Sequence, residues 1–167
     1  MVSLANMYLP EQASTLAHDV DFLYNFVLWL SIVSCVILMG TMVYFAFKYK
    51  RKSEDDKTPF IHGSTKLEIT WTVIPAIIFI AIAIWGIVVY HDMENPPSNA
   101  FTVHVTGKQW YWDFSYGNGK KSVNDLVVPI GQPIVLQMTS PDVLHSFFVP
   151  SFRVKKDIVP GYRTQLW

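Results

Sequence analysis

Phe22 to Phe47 is a run of 26 residues without a charged side chain. As a helix it would reach ~39 Å, enough to cross a bilayer with some tilt. A second uncharged run, Ile69 to Tyr90, reaches ~33 Å at the same rise per residue. Two runs this long in a chain of 167 residues read as transmembrane helices rather than as core helices of a soluble domain. A cleaved signal peptide needs a basic leading region and a short apolar stretch. Here the leading region carries Glu11, Asp19 and Asp21 and the stretch is too long, so the first run reads as a retained span.

The charge pattern orients the spans. Residues 1–47 contain no Lys or Arg, whereas Lys48, Lys50, Arg51, Lys52, Lys57 and Lys66 fall between the two runs. Basic loops stay on the side of synthesis. The loop 48–68 is therefore expected in the cytoplasm or matrix, with the tail 1–21 and everything after Tyr90 on the other side. Over the whole chain 13 basic residues balance 13 acidic ones, so nothing in the charge suggests a nucleic-acid partner. The single cysteine, Cys35, excludes an internal disulfide and a cysteine-based metal cluster within the chain.

After the spans at 22–47 and 69–90, residues 91–99 with Pro96-Pro97 read as a linker. From Ala100 the periodicity becomes strand-like. Phe101–Thr106 and Gln109–Tyr116 alternate, Gly117-Asn118-Gly119 marks a turn, and Leu126–Pro129, Pro133–Met138 and Val143–Val149 are further short β runs. The expectation is a membrane-anchored two-helix transmembrane hairpin followed by an incomplete all-β domain at 100–167, a Greek-key sandwich or barrel. With only 100–167 available, such a domain is marginal unless something covers it. The chain is accordingly expected to be a fragment or to be completed by another polypeptide.

Three motifs in order carry a family resemblance: Lys66-Leu-Glu-Ile-Thr-Trp-Thr-Val-Ile-Pro75, Gly107-Lys-Gln-Trp-Tyr-Trp112, and Asp142-Val-Leu-His-Ser146 followed by Pro150-Ser151. With the preceding layout, they resemble the cytochrome c oxidase subunit II family of the haem–copper oxidases. The order Tyr162-Arg163 departs from the family's Arg-Tyr. The resemblance implies a cupredoxin-like β domain on the periplasmic or intermembrane side of a bacterial inner (plasma) or mitochondrial inner membrane. It implies a larger catalytic subunit I, holding the haems and further copper, and cytochrome c as electron donor. It also implies a binuclear copper centre (CuA), with His145 as its first ligand. That centre needs two cysteines, which in the family follow some tens of residues later, and Cys35 lies within the first apolar run.

The same resemblance makes Trp110, within Trp110-Tyr111-Trp112, the point where an electron arrives. Period two places Trp110, Trp112, Phe114 and Tyr116 on one face, which by itself reads as four core aromatics. A strand end projecting past the core satisfies both readings. Cytochrome c presents lysines, so an acidic docking face is expected, with Asp113, Asp125, Asp142 and Asp157 as candidates. Glu68 matches the family's carboxylate at the mouth of a proton-uptake path. Two rivals share the architecture: subunit II of a copper-less quinol oxidase, and a structural half of a split subunit.

Overall fold

The computed structural model describes residues 9–57, 60 and 62–167. The chain divides into two units, one of Phe22–Gly86, the other of the segment before it together with Ile87–Trp167.

Two helices dominate the first unit: α1, Thr15–Lys48, and α2, Thr65–Glu94. Both begin before the uncharged runs do, because a serine stands at each start. Ser14 Oγ accepts the Ala17 N–H at 3.1 Å, and Ser64 Oγ stands 3.5 Å from the Leu67 nitrogen. Each serine thereby answers a donor left over in the first helical turn. Both helices are long and apolar enough to cross a membrane. Side chains such as Val36, Leu38, Ile77 and Phe79 are exposed, a surface that suits hydrocarbon rather than water. Phe22 and Phe26 close on Trp85 at ring-centroid distances of 5.3 and 5.6 Å. Two helical hydroxyls bond back to their own backbone: Ser31 donates to the Val27 carbonyl and Thr70 to the Lys66 carbonyl, each at 2.8 Å. At the end of α1, the Lys48 ammonium lies over the rings of Tyr44 and Tyr49, where the helix dipole also favours a cation.

The second unit is a β-sheet domain. Its strands are β1 (Phe101–Lys108), β2 (Tyr111–Tyr116), β3 (Lys121–Val123), β4 (Ile134–Thr139), β5 (His145–Val149), β6 (Val154–Ile158) and β7 (Thr164–Leu166). One sheet runs β3-β2-β1-β4-β7, and β5 pairs with β6 in a second. β1 and β2 are antiparallel, Val103 opposite Tyr116, while β1 and β4 are parallel, Phe101 opposite Ile134. Alternation sends Val103, Val105, Phe114, Leu136 and Met138 inward, where they meet Phe147, Val154 and Ile158 of the second sheet. Leu16, from the first turn of α1, belongs to the same core.

The expected run Leu126–Pro129 is not a strand. Asn124 adopts a left-handed conformation, φ 57°, which turns the chain out of the ladder after β3. Its side chain accepts the Trp112 N–H at 2.8 Å, and the Val127 N–H is answered by the Tyr116 hydroxyl at 2.9 Å. The Asn124 N–H still bonds the Trp112 carbonyl at 2.8 Å, but beyond it the Val127 N–H is met by a side chain rather than by a ladder partner. β3, β6 and β7 were not apparent as separate strands from alternation.

The amino-terminal segment is fastened to the β5–β6 hairpin. Between those strands Pro150–Phe152 forms a 3-10 turn that ends on Arg153 at φ 60°. Arg153 donates from Nε to Asp21 Oδ1 at 2.8 Å, and from Nη2 to Asp21 Oδ2 at 2.9 Å and to the Pro10 carbonyl at 2.7 Å. Gln12 donates to the same carboxylate at 2.7 Å. Only 6% and 4% of the Arg153 and Asp21 side chains are exposed, so this is a buried, two-pronged ion pair.

Candidate functional site at the β1–β2 turn

Lys108 pairs directly with Tyr111, so only Gln109 and Trp110 connect β1 to β2. The peptide bond between these two residues is cis. Trp110 lies outside both strands and is 91% exposed. Trp112, two residues on, points the other way and packs against the core.

Beneath the turn is a run of aromatic contacts. Trp112 meets Phe147 at 5.1 Å between centroids and His145 at 5.8 Å, both edge-on, and Phe114 meets Phe147 at 6.3 Å. Gly107 makes this packing possible. A Cβ there would stand 2.9 Å from Trp112 Cζ3 and 3.1 Å from both Cγ and Cδ2 of His145. A glycine inside a strand signals such close approach, and that was the sequence signal by which Gly107 could have been found.

Asp142, in the bend before β5, holds several groups. Its Oδ2 accepts the Gln109 N–H at 2.8 Å, and its Oδ1 lies 2.7 Å from His145 Nε2. Oδ1 also accepts the Val143 N–H at 2.7 Å and the buried Ser140 hydroxyl at 3.0 Å. The hydrogen bond with His145 is foremost in holding the Asp142 carboxyl well below the usual carboxylate range. The N–H groups of Gln109 and Val143 add to it, burial opposes it, and Ser140 lends a smaller share. The side chains of His145 and Asp142 are 14% and 28% exposed.

The other acidic candidates are dispersed. Asp113, in β2, takes the Lys108 ammonium at 2.6 Å. That hydrogen bond, with a further one to Tyr111, raises the Lys108 pKa. Asp125, after β3, and Asp157, in β6 opposite Ser146, are exposed. Glu68 lies in the first turn of α2, in the helical unit, where the macrodipole favours a carboxylate.

The donors close to His145 do not amount to a binuclear copper centre. Among the described residues no group of three or more His, Cys, Asp or Glu side chains could hold a metal ion. Cys35 lies in α1 of the helical unit. One imidazole provides a single borderline donor, whereas a thiolate-bridged pair of coppers requires soft sulfur ligands.

Two family models match this chain. The one described as Cytochrome C oxidase subunit II, transmembrane domain, covers residues 2–106. That described as Cytochrome C oxidase subunit II, periplasmic domain, covers residues 120–167. Among curated proteins, cytochrome c oxidase subunit 2 of Alkalihalophilus pseudofirmus is 37% identical over 153 residues, 86% of this chain and 45% of the relative. The subunit 2 proteins of Cereibacter sphaeroides and Thermostichus vulcanus are 28% and 27% identical, each over 93% of this chain and 64% of the relative. The chain therefore spans between about half and just under two thirds of the length of these relatives. Among solved structures, the periplasmic domain of subunit II of cytochrome oxidase (CoxB) of Bradyrhizobium japonicum is 32% identical with a TM-score of 0.41, over 44% of this chain and 65% of that one.

Proposed function

The chain belongs to the cytochrome c oxidase subunit II family, and on that premise we propose that it receives electrons from cytochrome c at Trp110. The chain is a membrane-anchored subunit of an oxidoreductase complex. In the proposed arrangement it stands beside a haem-bearing catalytic subunit, and oxygen reduction is that partner's chemistry. The basic loop between the helices supports an orientation with the amino terminus and the β domain on the periplasmic or intermembrane side.

One observation carries the reading: Trp110 is 91% exposed on a turn whose backbone is tied, through Asp142, to His145. An indole held out in solvent from a fixed turn can meet a docking protein. The edge-on Trp112 and His145 rings give the domain a packed aromatic interior directly after it. When bound, the family's binuclear copper supplies a one-electron relay. This chain contributes His145 as one imidazole donor toward it.

Asp125 and Asp157 are the carboxylates available for docking a lysine-rich partner, because Asp113 and Asp142 hold groups of their own chain. Glu68 is proposed to collect protons at the membrane boundary.

The test is Trp110→Ala in the assembled oxidase. Slower electron arrival from cytochrome c, with unaltered metal and haem spectra, is expected. Unchanged arrival refutes the assignment.

A further inference from the structure

The four acidic docking candidates differ in one respect: Asp142 alone reaches both parts of the proposed electron-receiving site. Its two oxygens are divided between them. Oδ2 accepts the N–H of Gln109, a residue 33 positions away and next to Trp110, and Oδ1 faces His145 Nε2. We propose that Asp142 is a positioning residue that fixes the Trp110 turn and the tautomer of His145 with one carboxylate. The proposal deepens the functional reading above and rests on it.

The chemistry follows from the inventory of donors and acceptors. An ionised carboxylate only accepts, so the His145 nitrogen facing it has to carry the hydrogen. A neutral imidazole has one N–H, which places it on Nε2 and leaves the lone pair on Nδ1. On the other side, Gln109 N–H meets the second oxygen, which holds the two-residue connection that presents Trp110. Oδ1 also serves the Val143 N–H and the buried Ser140 hydroxyl, so the carboxylate cannot rotate without abandoning donors on both sides. Surface carboxylates that merely attract a basic partner need no such arrangement.

An asparagine of the same shape cannot replace it. With its carbonyl oxygen toward Gln109, its amide N–H groups face His145 and require Nε2 to accept. The imidazole then carries its hydrogen on Nδ1. With the oxygen toward His145, the amide N–H groups confront the Gln109 N–H and release the turn. One of the two groups loses its hold in either case.

The experiment uses the full chain in detergent micelles, with 15N-labelled histidine and backbone amides, about 1.5 pH units above the ordinary histidine pKa. His145→Gln assigns the His145 signals. The unsubstituted chain is expected to show the Nε2–H tautomer at His145, and an Nδ1–H tautomer overturns the proposal whether or not any variant folds. In Asp142→Asn, one of two changes is expected: a switch to Nδ1–H, or Gln109 amide exchange at least about tenfold faster, as loss of a hydrogen bond to a charged group implies. If both stay as in the unsubstituted chain, Asp142 positions neither. These readouts are independent of oxidase turnover. If Trp110→Ala leaves electron arrival unaltered, the functional reading falls while the tautomer and exchange results still decide the role of Asp142.

Discussion

The imidazole of His145 meets the indole of Trp112 edge-on, 5.8 Å between ring centroids, over a strand position occupied by Gly107. Both rings reach that place from different sheets, Trp112 from β2 and His145 from β5. They touch because β1 presents no side chain between them.

Gly107→Ala is therefore expected to displace both rings. The added Cβ meets Trp112 at 2.9 Å and His145 at 3.1 Å, and neither ring is a flexible tail that swings aside. Overpacking of this kind costs about 1–3 kcal/mol. Thermal unfolding of the chain in detergent, with 15N shifts of His145 as a local probe, checks it. A variant as stable as the parent with an unmoved His145 signal contradicts the packing argument.

Removing the cation from the buried ion pair is expected to weaken the β domain more. Arg153→Ala takes from Asp21 its bidentate partner at 2.8 and 2.9 Å, within a pair of which 6% and 4% is exposed. Loss of one member of such a pair costs about 3–5 kcal/mol. Arg153→Met combined with Asp21→Leu should recover much of that loss, because a matched apolar pair leaves no buried charge. Denaturant unfolding of the two variants gives the comparison, and equal losses would contradict it.

Met138 is fully buried near the end of β4. Met138→Ala leaves a cavity beside Val103, Val105 and Phe114 and is expected to destabilise the domain by about 2–5 kcal/mol. The same substitution at Met42, exposed on α1, should have a much smaller effect on β-domain unfolding. Near-ultraviolet circular dichroism through the transition separates the two.

The Lys108–Asp113 contact predicts an alkaline dependence. The folded-state pKa of Lys108 is raised above its ordinary 10.5 by the hydrogen bond to Asp113. A raised pKa means that the folded state holds the proton more tightly. The contribution is fully present below 10.5 and is lost as pH rises from there through the folded-state value. Asp113→Asn should flatten stability against pH in that range and leave the neutral region little altered, since the pair is part-exposed. A profile identical to that of the parent would refute it.

The helices were legible because an uncharged run of bilayer length has few alternatives. β1 and β2 were legible from alternation, and β4 and β5 as short apolar β runs. β6 was hidden because Lys156 occupies the middle of its inward row between Val154 and Ile158, its ammonium reaching Glu94 at 2.7 Å. β7 has three residues and exists through its pairing with β4. Trp110 shares a phase with Trp112 on paper. Phase does not reach into a two-residue connection, and the indole points into solvent. Asp142 looked like one acidic residue among four. Nothing local to it announces an acceptor for an amide 33 positions upstream.

The Arg153–Asp21 pair, with Leu16 in the core, bears on how this molecule is assembled during biogenesis. The residues just before the first span and the strands that follow the second become parts of one folded body. Its core cannot close until both have been delivered to the same aqueous compartment. Completion of the β domain therefore requires that the two spans leave both segments on one side of the membrane.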